Sequence, residues 1–521
     1  MKTRESCALM FAAILLCGVP VAFGQRRQPG APPSETPAPQ AQAEPAKKPA
    51  PPPEDKVSKT QHTVRIGGQE IKYTATAGTL VLKTEDGQPK ASVFYIAYTK
   101  DDVADPGQRP VCFTFNGGPG SSSVWLHLGA FGPRRVEMGD VGSLAAPPWK
   151  LVDNESSLLD VTDLVFIDPV TTGYSRPAPG EQPQQFHGLR EDTEWVGEFI
   201  RLWATRNERW LSPKFLAGES YGTTRAASLS GYLQQRHGMY LNGVVLVSSI
   251  LNFQTARFDV GNDSSYLLFL PTYTATAWYH KKLPPDLQAD LQKALNEARA
   301  FAAGDYAWAL GQGSKLAPAE RAKIAQQLAR LTGLSPAFVE ESNLRIHIQR
   351  FCKELLRSER RTVGRLDSRF KGIDADAAGE RPDYDPSLAA ITGPYTATLN
   401  DYVRRVLKFE SDVPYEILTS RVQPWSYAQY EGRYVNVAET LRSAMTQNPN
   451  LRVFVGNGYY DLATPFHATE FTFDHLGLDT ALEGHVTMAY YEAGHMMYVH
   501  MPSLAKLKKD VAAFIQSATR R

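Results

Sequence analysis

The chain has 521 residues, and its 56 lysines and arginines nearly balance its 55 aspartates and glutamates. A net charge of +1 argues against electrostatic binding to nucleic acid or to an anionic membrane as the main function. Hydrophobic residues make up 42% of the chain, enough for a large buried core, which excludes disorder for most of its length.

The first 24 residues are typical of a secretory signal peptide. A charged start precedes an apolar run at 8–16, and Ala22-Phe23-Gly24 ends the segment in the manner of a cleavage site. The run is shorter than the roughly 20 residues of a membrane-spanning helix, so we expect no stable membrane insertion. Export to the periplasm or the cell exterior follows. Lipid attachment at Cys17 is an alternative that the large Leu16 before it disfavours.

Residues 25–57 are predicted to form a disordered linker. From residue 26 onward they contain ten prolines and no aromatic residue, a composition that cannot bury enough apolar surface to fold. A ligand for an SH3-type domain is the alternative. The remaining residues, 58–521, contain two cysteines, Cys112 and Cys352, which form neither a disulfide framework nor a recognisable zinc site. Whether these two cysteines pair is left open.

The segment 62–100 alternates apolar and polar residues between turns, which predicts antiparallel strands. Six short apolar runs follow it, with helical stretches such as 189–211 between several of them. These runs lie at 111–115, 164–167, 215–217, 244–247, 451–455 and 486–490. Continuous apolar strands that alternate with helices are typical of a sheet covered on both faces, and hence of an α/β fold.

Between residues 252 and 450 the strand signal disappears. Segments 285–303 and 317–331 have helical periodicity and strong helix formers. A helical insertion of this length before the last two strands predicts a large cap over the carboxyl edge of the sheet. A final amphipathic helix is expected at 503–518.

The strongest chemical signal is Gly-Glu-Ser-Tyr-Gly at 218–222. An apolar strand leads into it and a helical stretch, 223–233, follows, which is the strand–turn–helix context of a nucleophile elbow. A serine on this tight turn needs glycines two residues before and after it, so that neighbouring backbones can approach. We therefore predict that Ser220 is a nucleophile, with a purely structural turn as the alternative.

A serine nucleophile needs a histidine base and a carboxylate that orients the base, and in this fold the acid and then the histidine follow the serine. Asp461 and His495 each come just after one of the last two strands, at the edge where the serine is expected. His485 precedes its strand and His500 starts the last helix, so both are weaker candidates for the base. Asp474 is a weaker candidate for the acid.

Asn-Gly-Gly-Pro-Gly-Ser-Ser-Ser at 116–123 directly follows an early apolar strand. It lacks the Gly-Lys-Ser/Thr ending of a phosphate-binding loop, and a tight turn is its plainest interpretation. Hydrolases with a nucleophile elbow place oxyanion-hole amides in a glycine-rich loop at this position, because glycine leaves its N–H open to the substrate. The loop is therefore a candidate oxyanion hole.

Four motifs in one order resemble the serine carboxypeptidases, peptidase family S10, as in a bacterial-like, secreted member. They are the glycine loop at 116–123, Gly-Glu-Ser-Tyr-Gly at 218–222, Asp461 with Pro465 four residues later, and Gly-His-Met at 494–496. The resemblance implies an α/β-hydrolase fold, with a mostly parallel central sheet flanked by helices. It also implies hydrolysis of the C-terminal peptide bond of peptides with a free C-terminus, without a metal or an organic cofactor.

By the same resemblance, Ser220, Asp461 and His495 match the catalytic triad, which acts through an acyl-enzyme. The backbone amides of Gly118 and Tyr221 match the donors of the oxyanion hole. An esterase or acyltransferase with the same triad is the alternative enzyme, since the fold does not fix the acyl donor. A catalytically silent binding protein is the alternative from another class.

The resemblance also implies a substrate-binding set. Asn116, Gly117 and Glu219 match residues around the terminal carboxylate of the substrate, and Met496 matches a residue that lines the pocket for the departing amino acid. The plainer alternative is that Glu219 only packs within the nucleophile elbow and does not contact the substrate.

Three positions depart from the family pattern. Ser121 stands where the family usually has a cysteine, Ala130 where it often has a glutamate, and Tyr498 where a proline is usual. The last two changes weaken the expected recognition of the substrate carboxylate and leave the triad unaffected. Side-chain preference and oligomeric state stay open.

Overall fold

The computed structural model describes residues 53–139, 141–142 and 145–520. The predicted signal peptide, 1–24, and most of the predicted linker, 25–57, lie outside these ranges. The strands are β1 (Lys56–Ile66), β2 (Gln69–Lys83), β3 (Pro89–Lys100), β4 (Val111–Phe115), β5 (Arg134–Val136), β6 (Leu151–Asp153), β7 (Asp163–Ile167), β8 (Arg176–Pro177), β9 (Lys214–Ser220), β10 (Gly243–Ser249), β11 (Thr362–Val363), β12 (Lys371–Gly372), β13 (Arg452–Gly458) and β14 (Val486–Tyr491). The α-helices are α1 (Leu189–Arg206), α2 (Tyr221–His237), α3 (Ser264–Tyr279), α4 (Pro285–Gln288), α5 (Leu291–Phe301), α6 (Ala307–Gln312), α7 (Pro318–Thr332), α8 (Pro336–Glu341), α9 (Ile348–Glu354), α10 (Pro386–Asp401), α11 (Ala438–Gln447), α12 (Phe466–Asp474), α13 (Thr480–Glu483) and α14 (Met501–Thr519).

The folded region starts a few residues before the predicted boundary at residue 58. Strand β1 begins at Lys56, and the carboxylate of Asp55 accepts the backbone N–H of Val81 at 2.7 Å. The last residues of the predicted linker therefore belong to the sheet, because their backbone and side chains pair with β2.

A mixed sheet organises the fold, with the strand order β1-β2-β3-β7-β4-β9-β10-β13-β14. The six strands from β7 to β14 in this order are parallel to one another, and β1, β2 and β3 extend the sheet by antiparallel pairs. These strands include the six apolar runs and the antiparallel segment that the sequence predicts. The predicted α/β class, with a mostly parallel central sheet flanked by helices, is confirmed.

Both faces of the parallel strands are buried. In β4, Cys112 packs into the cluster that α14 covers, whereas Val111 and Phe113 pack into the cluster that α1 and α2 cover. All five residues of this strand are buried. Burial on both faces removes the need for polar positions, which explains the continuous apolar pattern of the central strands.

The observed helices differ from the predicted ones chiefly at their ends. Helix α1 ends five residues earlier than predicted, and α2 begins two residues earlier. The segment 285–303, predicted as one helix, contains α4 and α5. The break occurs at Asp290, whose carboxylate accepts the backbone N–H groups of Gln292 and Lys293 and so caps the start of α5.

The residues between β10 and β13 form two parts. Helices α3 to α9 share a hydrophobic cluster that includes Tyr273 and Phe351, while α10 places Ile391 and Tyr395 in the core that α14 covers. The region is not wholly helical, since β11 and β12 pair as a short antiparallel ladder. The segment predicted as a cap, 252–450, thus combines a part that has its own core with a part that belongs to the main core.

A later stretch of the insertion runs along the carboxyl edge of the sheet. Isolated bridges join Leu418 to Ser121 and Asn436 to Asn252, and these partners follow β4 and β10. The insertion therefore contacts the loops that leave this edge.

Candidate active site

Ser220 lies at the turn between β9 and α2. Its backbone has a φ of 61° and a ψ of −131°, a conformation that costs a non-glycine residue about 1–3 kcal/mol. The turn is so tight that a Cβ on Gly218 would collide with the backbone of Gly222. The surrounding packing imposes the strained conformation, and Ser220 remains partly exposed. This is the geometry of a nucleophile elbow.

Asp461 and His495 are hydrogen-bonded to each other beyond the ends of β13 and β14. Asp461 Oδ2 lies 2.7 Å from His495 Nδ1, and Asp461 is fully buried. Asp461 Oδ1 accepts the backbone N–H groups of Ala463 and Thr464 at 2.8 and 3.0 Å. The Thr464 hydroxyl donates to Oδ2 at 2.7 Å. These contacts fix the carboxylate, which in turn orients Nδ1 of the imidazole and leaves Nε2 free to accept a proton.

Strand register and a hydrogen bond connect the histidine loop to the serine. Ser249 of β10 is paired with Ser220 of β9, and the hydroxyl of the neighbouring Ser248 donates to the carbonyl of His495 at 2.7 Å. The three residues predicted as a triad therefore lie at the same carboxyl edge of the sheet.

The surroundings of His495 favour its protonated form. Burial alone lowers the pKa of His495, but the charge of Asp461, the hydrogen bond with Asp461 and the charge of Glu219 together raise that pKa above its usual value. The imidazolium that forms when the ring accepts a proton is thereby stabilised.

Glu219, which precedes the serine, is bonded to the first residue of the glycine loop. Asn116 Nδ2 donates to Glu219 Oε1 at 3.0 Å, and Asn116 Oδ1 accepts the N–H of Leu126 at 3.0 Å. Glu219 is 3% exposed, and this burial raises the pKa of its carboxyl to about 7. Glu219 Oε2 has no hydrogen-bond partner among the described residues. Glu219 Oε2 and the neighbouring Tyr498 hydroxyl are thus two buried polar atoms beside the nucleophile without a hydrogen bond of standard geometry in the described structure.

The glycine loop, 116–123, passes directly over the start of α2. A Cβ on Gly117 would collide with the backbone nitrogen of Tyr221, so this approach requires glycine. Tyr221 is the first residue of α2, where a backbone N–H has no partner within the helix. Gly118 follows with a φ of 103°. The two predicted oxyanion-hole residues, Gly118 and Tyr221, therefore belong to segments in direct backbone contact.

Tyr498 lies close to Glu219. Its ring occupies the space that a side chain at Gly129 would need, and the Tyr395 hydroxyl borders the same space. Burial raises the pKa of the Tyr498 hydroxyl, and the charge of the neighbouring Glu219 raises it further. The Tyr498 hydroxyl also lacks a hydrogen-bond partner within the part of the chain that the structure describes. Ala130, fully buried, brings no polar group to this region.

The other predicted positions near the site are also buried. Ser121, which replaces a cysteine of the family, accepts the indole N–H of Trp125 at 2.8 Å. Met496 is 5% exposed and packs into the core that α14 covers. Cys112 and Cys352 are unpaired and lie in different hydrophobic clusters.

The weaker candidates form no hydrogen bond with Ser220, Asp461 or His495 in the described structure. Asp474 is exposed at the end of α12, and His500 Nδ1 is 2.8 Å from the Ser503 hydroxyl at the start of α14. His485 precedes β14, at the opposite edge of the sheet.

Within the described ranges, no group of three or more His, Cys, Asp or Glu side chains is arranged to hold a metal ion. None of the helices described is long and apolar enough to cross a membrane.

Two sets of residues contact the predicted triad without having been predicted. Thr464 follows Asp461 by three residues, a spacing at which an Asp side chain often accepts local backbone N–H groups, so this signal was present. Residues 365–369 belong to the insertion and are distant from both loops in sequence. The carbonyl of Leu366 accepts the N–H of His495 at 2.7 Å. No motif marks this segment.

Comparison with protein families gives one match that covers most of the chain. The model of the family Peptidase_S10, serine carboxypeptidase, matches residues 69–516. This range includes every residue placed above in the predicted triad, oxyanion hole and carboxylate-binding set.

Comparisons with individual proteins are consistent with that match. The chain is 25% identical over 212 residues to serine carboxypeptidase-like 45 of Arabidopsis thaliana, which covers 39% of this chain and 41% of that protein. It is 36% identical over 104 residues to the pheromone-processing carboxypeptidase KEX1 of Saccharomyces cerevisiae, which covers 19% of this chain and 13% of that protein. The alignments thus span less than half the length of these relatives.

A solved structure shows the same fold. The prohormone-processing carboxypeptidase Kex1(delta)p from Saccharomyces cerevisiae superimposes with a TM-score of 0.52 and 17% sequence identity, over 85% of this chain and 92% of that chain. At this identity the likeness concerns the fold alone, which is that of the α/β hydrolases.

Proposed function

The chain belongs to the serine carboxypeptidase family, and on that basis we propose that it hydrolyses the C-terminal peptide bond of peptides. Ser220 attacks the carbonyl carbon of that bond while His495 takes the proton of the serine. His495 then gives this proton to the departing amino acid, and the rest of the peptide stays on Ser220 as an ester. Water, with His495 again as base, hydrolyses the ester. No metal or organic cofactor enters these steps.

Asp461 and the oxyanion-hole amides lower the activation barrier of the reaction. Asp461 holds the imidazole by its Nδ1 and stabilises the positive charge that the ring acquires. The amides of Gly118 and Tyr221 donate to the oxygen that becomes negative in the tetrahedral intermediate. Backbone amides suit this role because they are fixed in place before the charge develops.

The preference for a chain end rests on one observation, the buried pair of Asn116 and Glu219 beside the nucleophile. A protonated Glu219 donates a hydrogen bond to a substrate carboxylate, whereas an ionised Glu219 repels it. Oε2, the oxygen that does not bond Asn116, is the atom that would donate. Met496 lines the space for the departing residue. An enzyme for neutral esters has no need of a buried carboxyl at this position.

The sign of the pH effect follows from the raised pKa. Glu219 keeps its proton up to a pH of about 7, so the substrate carboxylate is held below that pH and released above it. We expect KM for a free peptide to rise above pH 7, by up to about tenfold per pH unit where binding requires the proton. Ala130 adds no second carboxyl, and Tyr498 is a buried hydroxyl near this position whose raised pKa keeps it protonated across this pH range.

The test compares three substrates of the same sequence: a peptide with a free C-terminus, its amide and a corresponding ester. Wild type should show an alkaline rise in KM for the free peptide and a much smaller rise for the other two. Glu219→Gln keeps a donor without a charge and should flatten the rise for the free peptide alone. The amide and the ester, measured with the same variant, control for changes in the triad.

Other outcomes identify the rival function. If Glu219→Gln keeps the wild-type pH profile, or if the amide is cleaved as well as the free peptide at every pH, the carboxylate site is wrong. Efficient turnover of the ester alone would favour an esterase or an acyltransferase that uses the same triad.

We also propose that the chain is exported, as expected for a bacterial-like, secreted member of the family. Support comes from the sequence of residues 1–24, with its charged start, short apolar run and final Ala-Phe-Gly. Expression of the full chain in a bacterial host and mass spectrometry of the product should give a periplasmic or secreted protein that begins at Gln25. A cytoplasmic product that retains residues 1–24, or a lipid on Cys17, would contradict this proposal.

A further inference from the structure

We propose that Asp367 and Arg369, two residues of the insertion, are positioning residues that hold the loop of His495 in alignment with the loop of Asp461. The proposal rests on the triad assigned above. It concerns how the acid and the base are brought into line, which is a separate question from the identity of the substrate.

The backbone of the segment 365–369 connects the two loops directly. The carbonyl of Leu366 accepts the N–H of His495 at 2.7 Å. On the other side, Ser368 N donates to the carbonyl of Tyr460 at 3.0 Å. Leu462 N donates to the carbonyl of Arg365, also at 3.0 Å. One short segment thus bonds to both neighbours of Asp461 and to His495 itself.

The side chains of Asp367 and Arg369 strengthen this connection. Arg369 donates to both carboxylate oxygens of Asp367, at 2.9 and 2.7 Å, in the fork geometry that arginine offers. Asp367 Oδ2 also accepts the N–H of Gly494 at 3.2 Å, and Arg369 donates to the carbonyl of Glu492 at 2.8 Å. The ion pair therefore holds two peptide groups of the three residues that precede His495.

The fit between this pair and the histidine loop is close. A Cβ on Gly494 would collide with Asp367, so the loop can approach the pair only because position 494 is glycine. Arg369 and Asp367 have side chains that are 4% and 5% exposed. The guanidinium of Arg369 also lies 5.2 Å from the ring centre of Tyr460, the residue before Asp461. The pair therefore contacts both loops.

The segment is anchored on its far side, so it can act as a fixed support. The hydroxyl oxygen of Ser387, at the start of α10, accepts the backbone N–H of Asp367 at 3.1 Å. The Ser368 hydroxyl is 2.7 Å from that of Thr276, and the Ser368 carbonyl is 2.7 Å from His280 Nε2. Helix α3 and the residue after it thus hold the segment together with the start of α10.

Small errors in the place of the imidazole have large effects on catalysis. A displacement of about 1 Å can cost about 10²-fold in rate. Loss of the Asp367–Arg369 pair removes the bonds to Glu492 and Gly494. The position of the imidazole then depends on the His495–Asp461 bond and on the bonds of the His495 backbone to Leu366 and Ser248. We therefore expect kcat to fall while KM changes little, because no contact with the bound peptide is removed.

The test uses Asp367→Asn with a matched control in the same insertion. Lys353 and Asp374 form another buried ion pair, at 2.5 Å and with both side chains 4% exposed, and they make no described contact with the loops of Asp461 or His495. Asp374→Asn should lower the melting temperature about as much as Asp367→Asn does. Only Asp367→Asn should lower kcat, by about 10²-fold, with KM within about twofold of wild type.

A second variant and a second readout keep the result clear. Arg369→Lys retains the charge but loses the fork, and we expect about a tenfold loss in kcat even if Asp367→Asn fails to fold. The rate at which a fluorophosphonate acylates Ser220 should fall in parallel with kcat, since this reaction needs the triad and no peptide. The low-field NMR signal of the His495 Nδ1 proton should weaken or shift in both variants and remain unchanged in Asp374→Asn.

Failure of this proposal differs from failure of the proposed function. A wild type that labels at Ser220 but cleaves no C-terminal residue would overturn the carboxypeptidase activity, and the labelling rates would still decide the role of the pair. Unchanged labelling in Asp367→Asn and Arg369→Lys, or an equal loss in Asp374→Asn, would overturn the positioning role. So would a wild type that does not label at Ser220.

Discussion

Different regions of the molecule hold the predicted nucleophile and its two partners. Ser220 lies in one continuous strand, turn and helix, and the close contacts of this turn come from β4, β9, β10 and α2. The loops of Asp461 and His495 are bonded in addition to residues 365–369 of the insertion. The nucleophile is therefore held by a single strand–turn–helix unit within the sheet, whereas the alignment of acid and base depends in addition on a segment of the insertion.

The largest expected effect is in the sheet region. Ser220→Ala should lower kcat by about 10⁶-fold, because loss of the nucleophile disables a triad that acts as a unit. Peptide mapping after treatment of wild type with a fluorophosphonate should find the label on Ser220.

Ser249→Ala is the matched control for this change. Ser249 is buried at the end of β10, in register with Ser220, and its hydroxyl has no partner in the described part of the chain. We expect this variant to keep its activity. A label on Ser249, or turnover that survives in Ser220→Ala, would assign the nucleophile to another residue and remove the basis of the comparison.

The next effect concerns the loops that rest on the insertion. Asp461→Asn should keep the fold and lower kcat by about 10⁴-fold, because an amide favours the wrong imidazole tautomer. Asp474→Asn, a change of the same kind at an exposed position of the next helix, should leave kcat unaltered. If the two variants exchange these results, the acid has been misassigned.

A third change tests the contribution of the oxyanion-hole backbone without altering a residue of the triad. Gly117→Ala adds a methyl group against the backbone nitrogen of Tyr221 and should displace an oxyanion donor, with a loss of about 10²- to 10³-fold in kcat. Gly304→Ala places the same methyl group in open space and is the control. Steady-state kinetics on both variants decide the matter: equal activities would show that the approach of the glycine loop to α2 has no part in catalysis.

The smallest effect is expected at the start of the described chain, where β1 forms the edge of the sheet opposite to β14. A chain that begins at residue 53 should have wild-type kcat/KM, because the predicted linker adds nothing to the site. A chain that begins at residue 58 loses the Asp55 contacts to Val81 and Arg206 and the first two residues of β1, so its melting temperature should be lower. Thermal unfolding of the two truncations measures the difference, and equal values would place the fold boundary at residue 58.

The features that could be predicted from the sequence belong to the sheet and its loops rather than to the contacts with the insertion. The α/β class, the six parallel strands and the positions of Ser220, Asp461 and His495 after strand ends were all predictable, because each depends on a pattern within a few consecutive residues. Helix ends were predicted less well. The side-chain cap at Asp290 breaks one predicted helix in two, and it is a local hydrogen bond that periodicity does not reveal.

The support of the triad by the insertion was not predictable from the sequence. Asp367 contacts Gly494 across more than a hundred residues of chain, and nothing in the residues around either position indicates the pairing. The position of Tyr498 beside Glu219 was also not predictable, because it depends on the packing of the Tyr498 ring against Gly129. Contacts of this kind result from tertiary packing, which a reading of motifs cannot supply.

The most direct test of the proposed carboxypeptidase activity is a time course of peptide masses. A peptide of known sequence with a free C-terminus is incubated below pH 7 with wild type, and with Ser220→Ala in parallel. We expect wild type to produce masses that decrease by one C-terminal residue at a time, and the variant to leave the peptide intact. Fragments from internal bonds, loss of residues from the N-terminus, or the same series of masses with Ser220→Ala would contradict the proposal.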